Sequence, residues 1–376
     1  MQAKYGVFAR AMEGTLIERV SDFVTLHILM TLNGVGSWSI KSRTKEPCPF
    51  EPGMGIIVVR DSEFLYGGIV EKIQDVLDAK TSLYTWGVSG VGDLGYLNRR
   101  VCYVDPITGS TTIAGHYTDS GELSSVVNRL IDRNVGENAL ESRREPIIRS
   151  NSVTPFGGQA SVYLRFQNLL SAVVSTCRKN GYNIRANWDK NNSKVFYELF
   201  TGTNLSQDII FTEQLNNITN SEFIAKAPEG NSLIAGGKGE MTEREFAYAD
   251  NATSIDQWGR IEKFVDARNQ DGLEDYVNGK LDEKSENVIG YSCTASDSDN
   301  APQFGKDYNL GDIISMKVGT TYIAAEVQQV EIEVSGGRET ISPKFGTVAI
   351  GKFREIFAKL TSIREDVDEL LGTEIE

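Results

Sequence analysis

Histidine is almost missing from this chain of 376 residues, where His27 and His116 are the only two. Catalysis by a nucleophile and an imidazole base would have to run through one of them, and neither lies in a nucleophile elbow or a His-rich motif. His27 alternates with apolar residues in FVTLHILM (23–30) and reads as a core or half-buried histidine. Cysteine is also scarce. Cys48, Cys102, Cys177 and Cys293 are far apart and form no CxxC pair, which excludes zinc spacing and a dense disulfide framework. They read as buried thiols. No apolar run approaches the roughly 18 residues of a membrane helix, and the N-terminal MQAKYGVFARAMEG lacks the apolar stretch of a signal peptide. The expectation is a soluble chain made in a cytoplasm.

Basic charge is in deficit as well. With 38 Lys and Arg against 52 Asp and Glu, the formal net charge is -14. The chain therefore lacks the cationic excess that neutralises a phosphate backbone, and tight binding to nucleic acid is not expected. Proline is limited to nine residues beside 36 glycines, a balance that suits short strands closed by tight turns. The length implies two or three domains at about 150 residues each.

What is present is strand pattern in the first hundred residues: FVTLHILM, GIIVVR (55–60) and FLYGGIVEKI (64–73), the last two separated by Asp61-Ser62-Glu63 as a three-residue break that closes a hairpin. SLYTWGVSG (82–90) and RRVCYV (99–104) continue the pattern up to Asp105-Pro106, a domain boundary. The period then changes. Ser120 is a candidate N-cap for a helix with Leu123, Val126, Val127, Leu130 and Ile131 on one face; a second stripe joins Phe166, Leu169, Leu170, Val173, Val174 and Cys177, with Gly181 as C-cap. KVFYELF (194–200) follows as a strand, so residues 111–205 read as an α/β insertion. From about 206 strands return in DIIFTEQ, NSLIAGGKG, REFAYAD, DIISMKV and TYIAAEVQQVEIEV, the last two hinged on Gly319-Thr320. At the C-terminus, Phe353, Ile356, Leu360, Ile363, Val367 and Leu370 are spaced three, four, three, four, three. That is the seam of a coiled coil, and it predicts an oligomerisation helix over 351–376; a lone helix docked on its own domain would carry the same stripe.

Three short motifs suggest chemistry and fail on context. Gly90-Val91-Gly92-Asp93-Leu94-Gly95 satisfies GxGxxG after a strand, but Asn98-Arg99-Arg100 and another predicted strand stand where a dinucleotide fold needs a long helix. Gly236-Gly237-Lys238-Gly239 has neither the first glycine nor the final hydroxyl of a P-loop. Asp297, Asp299 and Asn300 begin like a calcium loop, but Ala301 and Pro302 occupy ligand and turn positions. No catalytic, cofactor-binding or metal-binding residue is assigned, no cofactor is expected, and the chain reads as a non-enzyme. Carboxylate pairs stay open, since they carry no short motif.

Four stretches, GMGIIVVRDSEFLYGGIVEKI (53–73), VSGVGDLGYLNRRVCYVDP (88–106), DQWGRIEKFVDAR (256–268) and FGKDYNLGDIISM (304–316), resemble the siphophage gene-product-37-like tail proteins, which are related to baseplate hubs. The resemblance spans nearly the whole chain. It implies a mainly β fold with two tube-like β-barrel hub domains, residues 1–110 and 206–350, around the α/β insertion 111–205 and followed by the heptad helix 351–376. It further implies a homotrimer in the virion that adapts a sixfold tail tube to a threefold tip and forms part of the DNA ejection channel. Its partners would be a distal tail or tail-tube protein and tip fibre or spike proteins, with no specific nucleic-acid contact and no membrane segment. No attached lysin is expected after the heptads. Two alternatives are a receptor- or glycan-binding tail module, supported if aromatic clusters around Trp188 or Trp258 line a groove, and a cell-wall hydrolase using a carboxylate pair.

Overall fold

The computed structural model describes residues 4–346 except 81–82, 106–107, 109–115, 152–153, 269–271, 286–287, 296–300 and 319–320. The heptad residues, the calcium-like Asp297, Asp299 and Asn300, and the Gly319-Thr320 hinge lie outside the described residues. Strand is the dominant element, and the chain divides into two compact units, one of Met1–Asn220 with Cys293–Lys344, the other built on Ser221–Ser292.

The first unit begins with β1 (Tyr5–Arg10), β2 (Leu16–Val20), β3 (Thr25–Thr31), β4 (Ser37–Thr44), β5 (Gly55–Arg60), β6 (Glu63–Asp78) and β7 (Leu83–Gly92). After a single helical turn, α1 (Gly95–Asn98), come β8 (Tyr117–Glu122), α2 (Leu123–Asn134), β9 (Gln159–Leu164), α3 (Leu169–Lys179), β10 (Asn183–Asp189), β11 (Lys194–Phe200) and β12 (Ile210–Phe211). β13 (Ile218–Lys226) carries the chain into the second unit, made of β14 (Ser232–Gly236), β15 (Phe246–Asp250), α4 (Ala252–Trp258), β16 (Glu262–Asp266) and α5 (Leu273–Lys284). β17 (Val288–Ala295) leads back to β18 (Ile313–Val318), β19 (Thr321–Ser335) and β20 (Arg338–Gly346).

In the first unit the strands run in the order β20-β19-β3-β4-β7-β6-β5-β1-β2, with β18 also on β19 and β12 on β18. The two β-rich stretches of the sequence thus share one sheet, joined where Ile332 of β19 pairs with Ile28 of β3. Tight turns set the register. Asp61 and Ser62, at φ 51° and 73°, form a two-residue turn that pairs Arg60 with Glu63, so Glu63 belongs to the strand and the predicted break is one residue shorter. Gly336 and Gly337, both at positive φ, close β19 onto β20 in the same way.

A hydrophobic core of this unit is drawn from residues 69 to 199. Every residue of the first predicted stripe is buried on α2, and Leu169, Leu170, Val173 and Cys177 are buried on α3. Full burial of each such aliphatic side chain stabilises by roughly 1.5–3 kcal/mol. The caps differ from expectation at two points. Ser120 lies within β8 and Glu122 precedes α2, whereas Phe166 precedes α3 at φ 56° and Asn168 caps it by accepting from Ser171 N–H at 3.0 Å. Gly181 ends α3 as predicted: its amide donates to Arg178 and that of Tyr182 to Cys177, with Gly181 at φ 76°. The predicted strand 99–104 reduces to one bridge, Val101 with Asn168, flanked by backbone hydrogen bonds from Cys102 to Gln167, Phe166 to Cys102 and Leu169 to Arg100, while the Cys102 side chain is buried in the helical core.

The second unit was read as strands alone, and it contains α4 and α5. Its sheet has the order β15-β14-β16, with β15 antiparallel and β16 parallel to β14. One sheet face, with Leu233, Ala235, Ala247 and Ala249, packs against Val277 and Leu281 of α5.

Candidate functional site

The glycine motif is a packing device. A Cβ on Gly90 would lie 1.8 Å from the Ile69 carbonyl oxygen, one on Gly92 2.4 Å from that of Val35, and one on Gly95 2.9 Å from Val91 Cγ2. Asp93, between them, is 3 % exposed and accepts two hydrogen bonds from the fully buried Arg10, at 2.9 and 2.7 Å. Arg10 also donates to the Gly68 carbonyl, and Tyr197 O–H to that of Asp93. Burial opposes the Arg10 charge, and the Asp93 carboxylate more than restores it, holding the guanidinium above its ordinary pKa. Both carboxylate oxygens of Asp93 are thus engaged by the Arg10 guanidinium, which makes the pair a structural tie between β1 and the glycine motif. The helix opening at Gly95 is one turn long, so it offers no dinucleotide site.

Gly236-Gly237-Lys238-Gly239 forms part of the β14–β15 connection, where Gly237 N–H donates to Glu245 and Arg244 donates to the Gly236 and Gly237 carbonyls. Cys102, Cys177 and Cys293 are buried and Cys48 is only half-buried, with no disulfide. Burial pushes the Cys102 thiol up to about 11 and Cys177 up to about 12, away from reactive thiolate chemistry. Among the described residues no group of three or more His, Cys, Asp and Glu is placed to hold a metal ion.

His27 is half-buried and its Nε2 lies 2.7 Å from Glu331 Oε1, while Lys344 Nζ lies 3.0 Å from Glu331 Oε2. The His27 hydrogen bond, followed by the Lys344 charge, holds the Glu331 carboxyl at about 2 against its ordinary 4.5, despite the opposing effect of burial. A depressed folded-state value means that this stabilisation is complete above pH 4.5 and is lost as the pH falls toward 2. Glu331→Gln is therefore expected to flatten the acid limb of the stability curve. Thermal unfolding of both proteins at about pH 7 and about pH 3 checks this: the fall in Tm between them should be smaller for the variant.

Neither predicted tryptophan cluster supplies an exposed platform. Trp188 packs against the helical core with Arg10 5.4 Å from its ring centroid, and Trp258 is half-buried at the end of α4. Two other places expose aromatics. On the face of β15-β14-β16 opposite α5, Phe246, Tyr248 and Phe264 are 46, 71 and 54 % exposed. Tyr248 and Phe264 flank Ile234 in one row, and the Arg244 guanidinium lies 5.9 and 5.3 Å from the Phe246 and Phe264 centroids. Charges on this face are paired, Arg244 with Asp266 at 2.9 Å and Arg260 with Asp250 at 2.7 Å. The second place is a groove of about 940 Å³ between the antiparallel β8–β9 pair and α3, edged by Tyr163. Tyr163 stacks on His116 at 3.9 Å between centroids. Strand alternation in QASVYL, with Ala160 and Val162 inward, carries the only sequence signal for Tyr163.

The profile of the family described as Siphovirus ReqiPepy6 Gp37-like protein matches residues 10–347. Comparison with curated proteins returned no match. Among solved structures, the 43 kDa tail protein of prophage MuSo2 from Shewanella oneidensis superposes with a TM-score of 0.56 at 11 % identity, over 91 % of this chain and 98 % of that one. The tail protein from Neisseria meningitidis MC58 gives 0.54 at 11 %, over 92 % and 97 %. Prophage tail protein gp18 from Listeria monocytogenes EGD-e gives 0.52 at 10 %, over 96 % and 99 %. At these identities the likeness is one of fold.

Proposed function

The chain belongs to the siphovirus Gp37-like family, and from that premise we propose that it is a structural baseplate-hub subunit of a phage tail tip. Three copies surround the tail axis, adapt the sixfold tube to a threefold tip and line part of the DNA path. The family match along residues 10–347 carries this reading, and the fold shared end to end with three tail proteins supports it. The two tube-forming segments are drawn from 1–110 and 206–350, with 111–205 as an insertion and the heptads of 351–376 zipping the trimer. A net charge of -14 suits a channel past which DNA slides, since an acidic or neutral lumen would form no counterion-releasing contacts with phosphate. The work is mechanical and positional, not enzymatic.

Copies with so much like charge repel, so they must meet where charge is locally balanced and apolar surface is available. The face of Phe246, Tyr248 and Phe264, with its paired arginines, meets both conditions and is proposed as a contact with a neighbouring copy in the tip. Tyr248→Asp with Phe264→Asp is expected to weaken assembly about 30-fold or more, the effect of losing a hot spot worth at least 2 kcal/mol, while the melting of the isolated subunit stays unchanged. Copy number per tail and the symmetry of the tip, read by electron microscopy of assembled particles, test the reading. Threefold density at the tip supports it; a sixfold ring or a place elsewhere in the particle refutes it.

A further inference from the structure

We propose that the groove between the β8–β9 strand pair and α3 binds a neutral saccharide chain, with Tyr163 as its stacking platform. This site is separate from the tip-assembly contacts and extends the function to recognition of a polyhydroxylated surface.

The walls follow from two periodicities. Along β9, Ala160 and Val162 turn into the core, which sends Ser161 and Tyr163 outward. β8 pairs antiparallel with it so that Ser120 sits beside Ser161 and Thr118 beside Tyr163. Across the groove, Ser171 and Ser175 are one turn apart on the exposed side of α3. The result is a concave surface bearing small hydroxyls from both sides, at a volume within the roughly 300–1,000 Å³ of ligand sites.

The chemistry of this lining selects the ligand. A hydroxyl both donates and accepts, so a wall of hydroxyls matches the hydroxyls of a sugar without requiring a charge. The carboxylate of the lining, Asp119, is held by Arg129 in two hydrogen bonds of 2.8 Å each. Among the described lining residues Lys179 is the single cation, far short of the cluster that a phosphate polymer needs. The groove is also too hydroxylated for an amphipathic helix, which seeks a continuous apolar floor.

Tyr163 supplies the apolar element. The residue is 66 % exposed although one face of its ring is covered by the His116 imidazole, at 3.9 Å and 20°. The stack fixes the ring and turns its other face to solvent, where the C–H face of a pyranose packs against it. A platform ordered before binding loses little conformational entropy when the ligand arrives.

The test uses the full chain on an array carrying chitotetraose, a neutral hexose hexamer and anionic glycans, followed by calorimetry on any saccharide retained. Chitotetraose stands for wall glycan and the hexose polymer for surface polysaccharide, so the array separates the two sources. The expected result is retention of at least one neutral saccharide, about tenfold weaker binding by Tyr163→Ala, and loss of binding by Ser175→Arg, which fills the groove. Both positions are exposed, so the thermal melting of each variant should match the parent; Tyr163→Phe, which keeps the ring, should bind. Failure of every neutral saccharide to bind, retention of anionic glycans alone, or binding indifferent to Tyr163→Ala would each overturn the proposal. Loss of oligomerisation by Tyr163→Ala without any saccharide binding would overturn it too, by showing that the groove holds another copy of the chain.

Discussion

Asp93→Ala is expected to destabilise the chain by about 3–5 kcal/mol, the usual cost of stranding one member of a buried ion pair. A domain is generally stable by only about 5–15 kcal/mol, so most of the folded margin would go. The geometry leaves no relief. The side chains of Arg10 and Asp93 are 0 and 2 % exposed, so water cannot replace the lost carboxylate. Nor can the backbone close in, because Gly67 already lies so near that a Cβ there would come within 2.2 Å of Asp93 Oδ2. Arg10→Met is expected to be nearly as harmful, since it strands the carboxylate. Arg10→Met with Asp93→Leu removes both charges and should recover much of the loss, because apolar residues of similar volume often replace a buried pair without penalty. Urea unfolding followed by circular dichroism measures these variants, the single Asp93→Leu variant that completes the cycle, and the parent. Additive losses in the double variant would show that the two groups do not act as a pair.

Gly90→Ala is expected to be the most damaging single-methyl addition in the sheet, and Gly87→Ala, three residues earlier in β7, to be harmless. The new Cβ at 90 would meet the Ile69 carbonyl oxygen at 1.8 Å, a backbone atom that cannot rotate aside. The approach has a local cause. β6 and β7 shift register between Val70 and Lys72, and this bulge brings the β6 backbone toward β7. Overpacking of this kind costs typically 1–3 kcal/mol or more, and here it must also separate β6 from β7 or displace Trp38, whose Nε1 lies 3.1 Å from the same Cβ position. At Gly87 the nearest atoms would be 3.8 and 3.9 Å away, ordinary contact, so alanine there should be neutral or mildly stabilising. Thermal melting of the two variants decides the matter, and equal Tm values would refute the close approach.

The legible parts of the fold share one property, a sharp boundary between core and solvent along a single element. Leu123, Val126, Val127, Leu130 and Ile131 recur at helical spacing because one side of α2 meets the core and the other meets water, and the same holds for most of the α3 stripe. Where burial and pairing part company, the pattern misleads. Cys102 sits in a segment that alternates like a strand and is indeed buried, but in the core that α2 and α3 line. α5 passed unread because its inward residues, Val277 and Leu281, are set among Asn278, Gly279, Asp282 and Glu283 in a weakly apolar segment. REFAYAD reads as a strand correctly, yet its alanines face the core and its aromatics face outward, the reverse of what residue size suggests.

By itself, the sequence determined the element types of the described segments whose hydrophobic period was strong, such as α2 and most of α3, the acidic balance, and through four stretches the family. Tertiary structure alone decided that β3 and β19, some three hundred residues apart, join the two β-rich segments into one sheet. It also decided that GVGDLG is a place of backbone contact around Arg10 and Asp93, and that Tyr163, not Trp188 or Trp258, stands beside a groove. The reason is the same in each case. Period along a chain reports what one element offers to its surroundings, whereas pairing, close approach and concavity depend on which distant residues arrive at the other side.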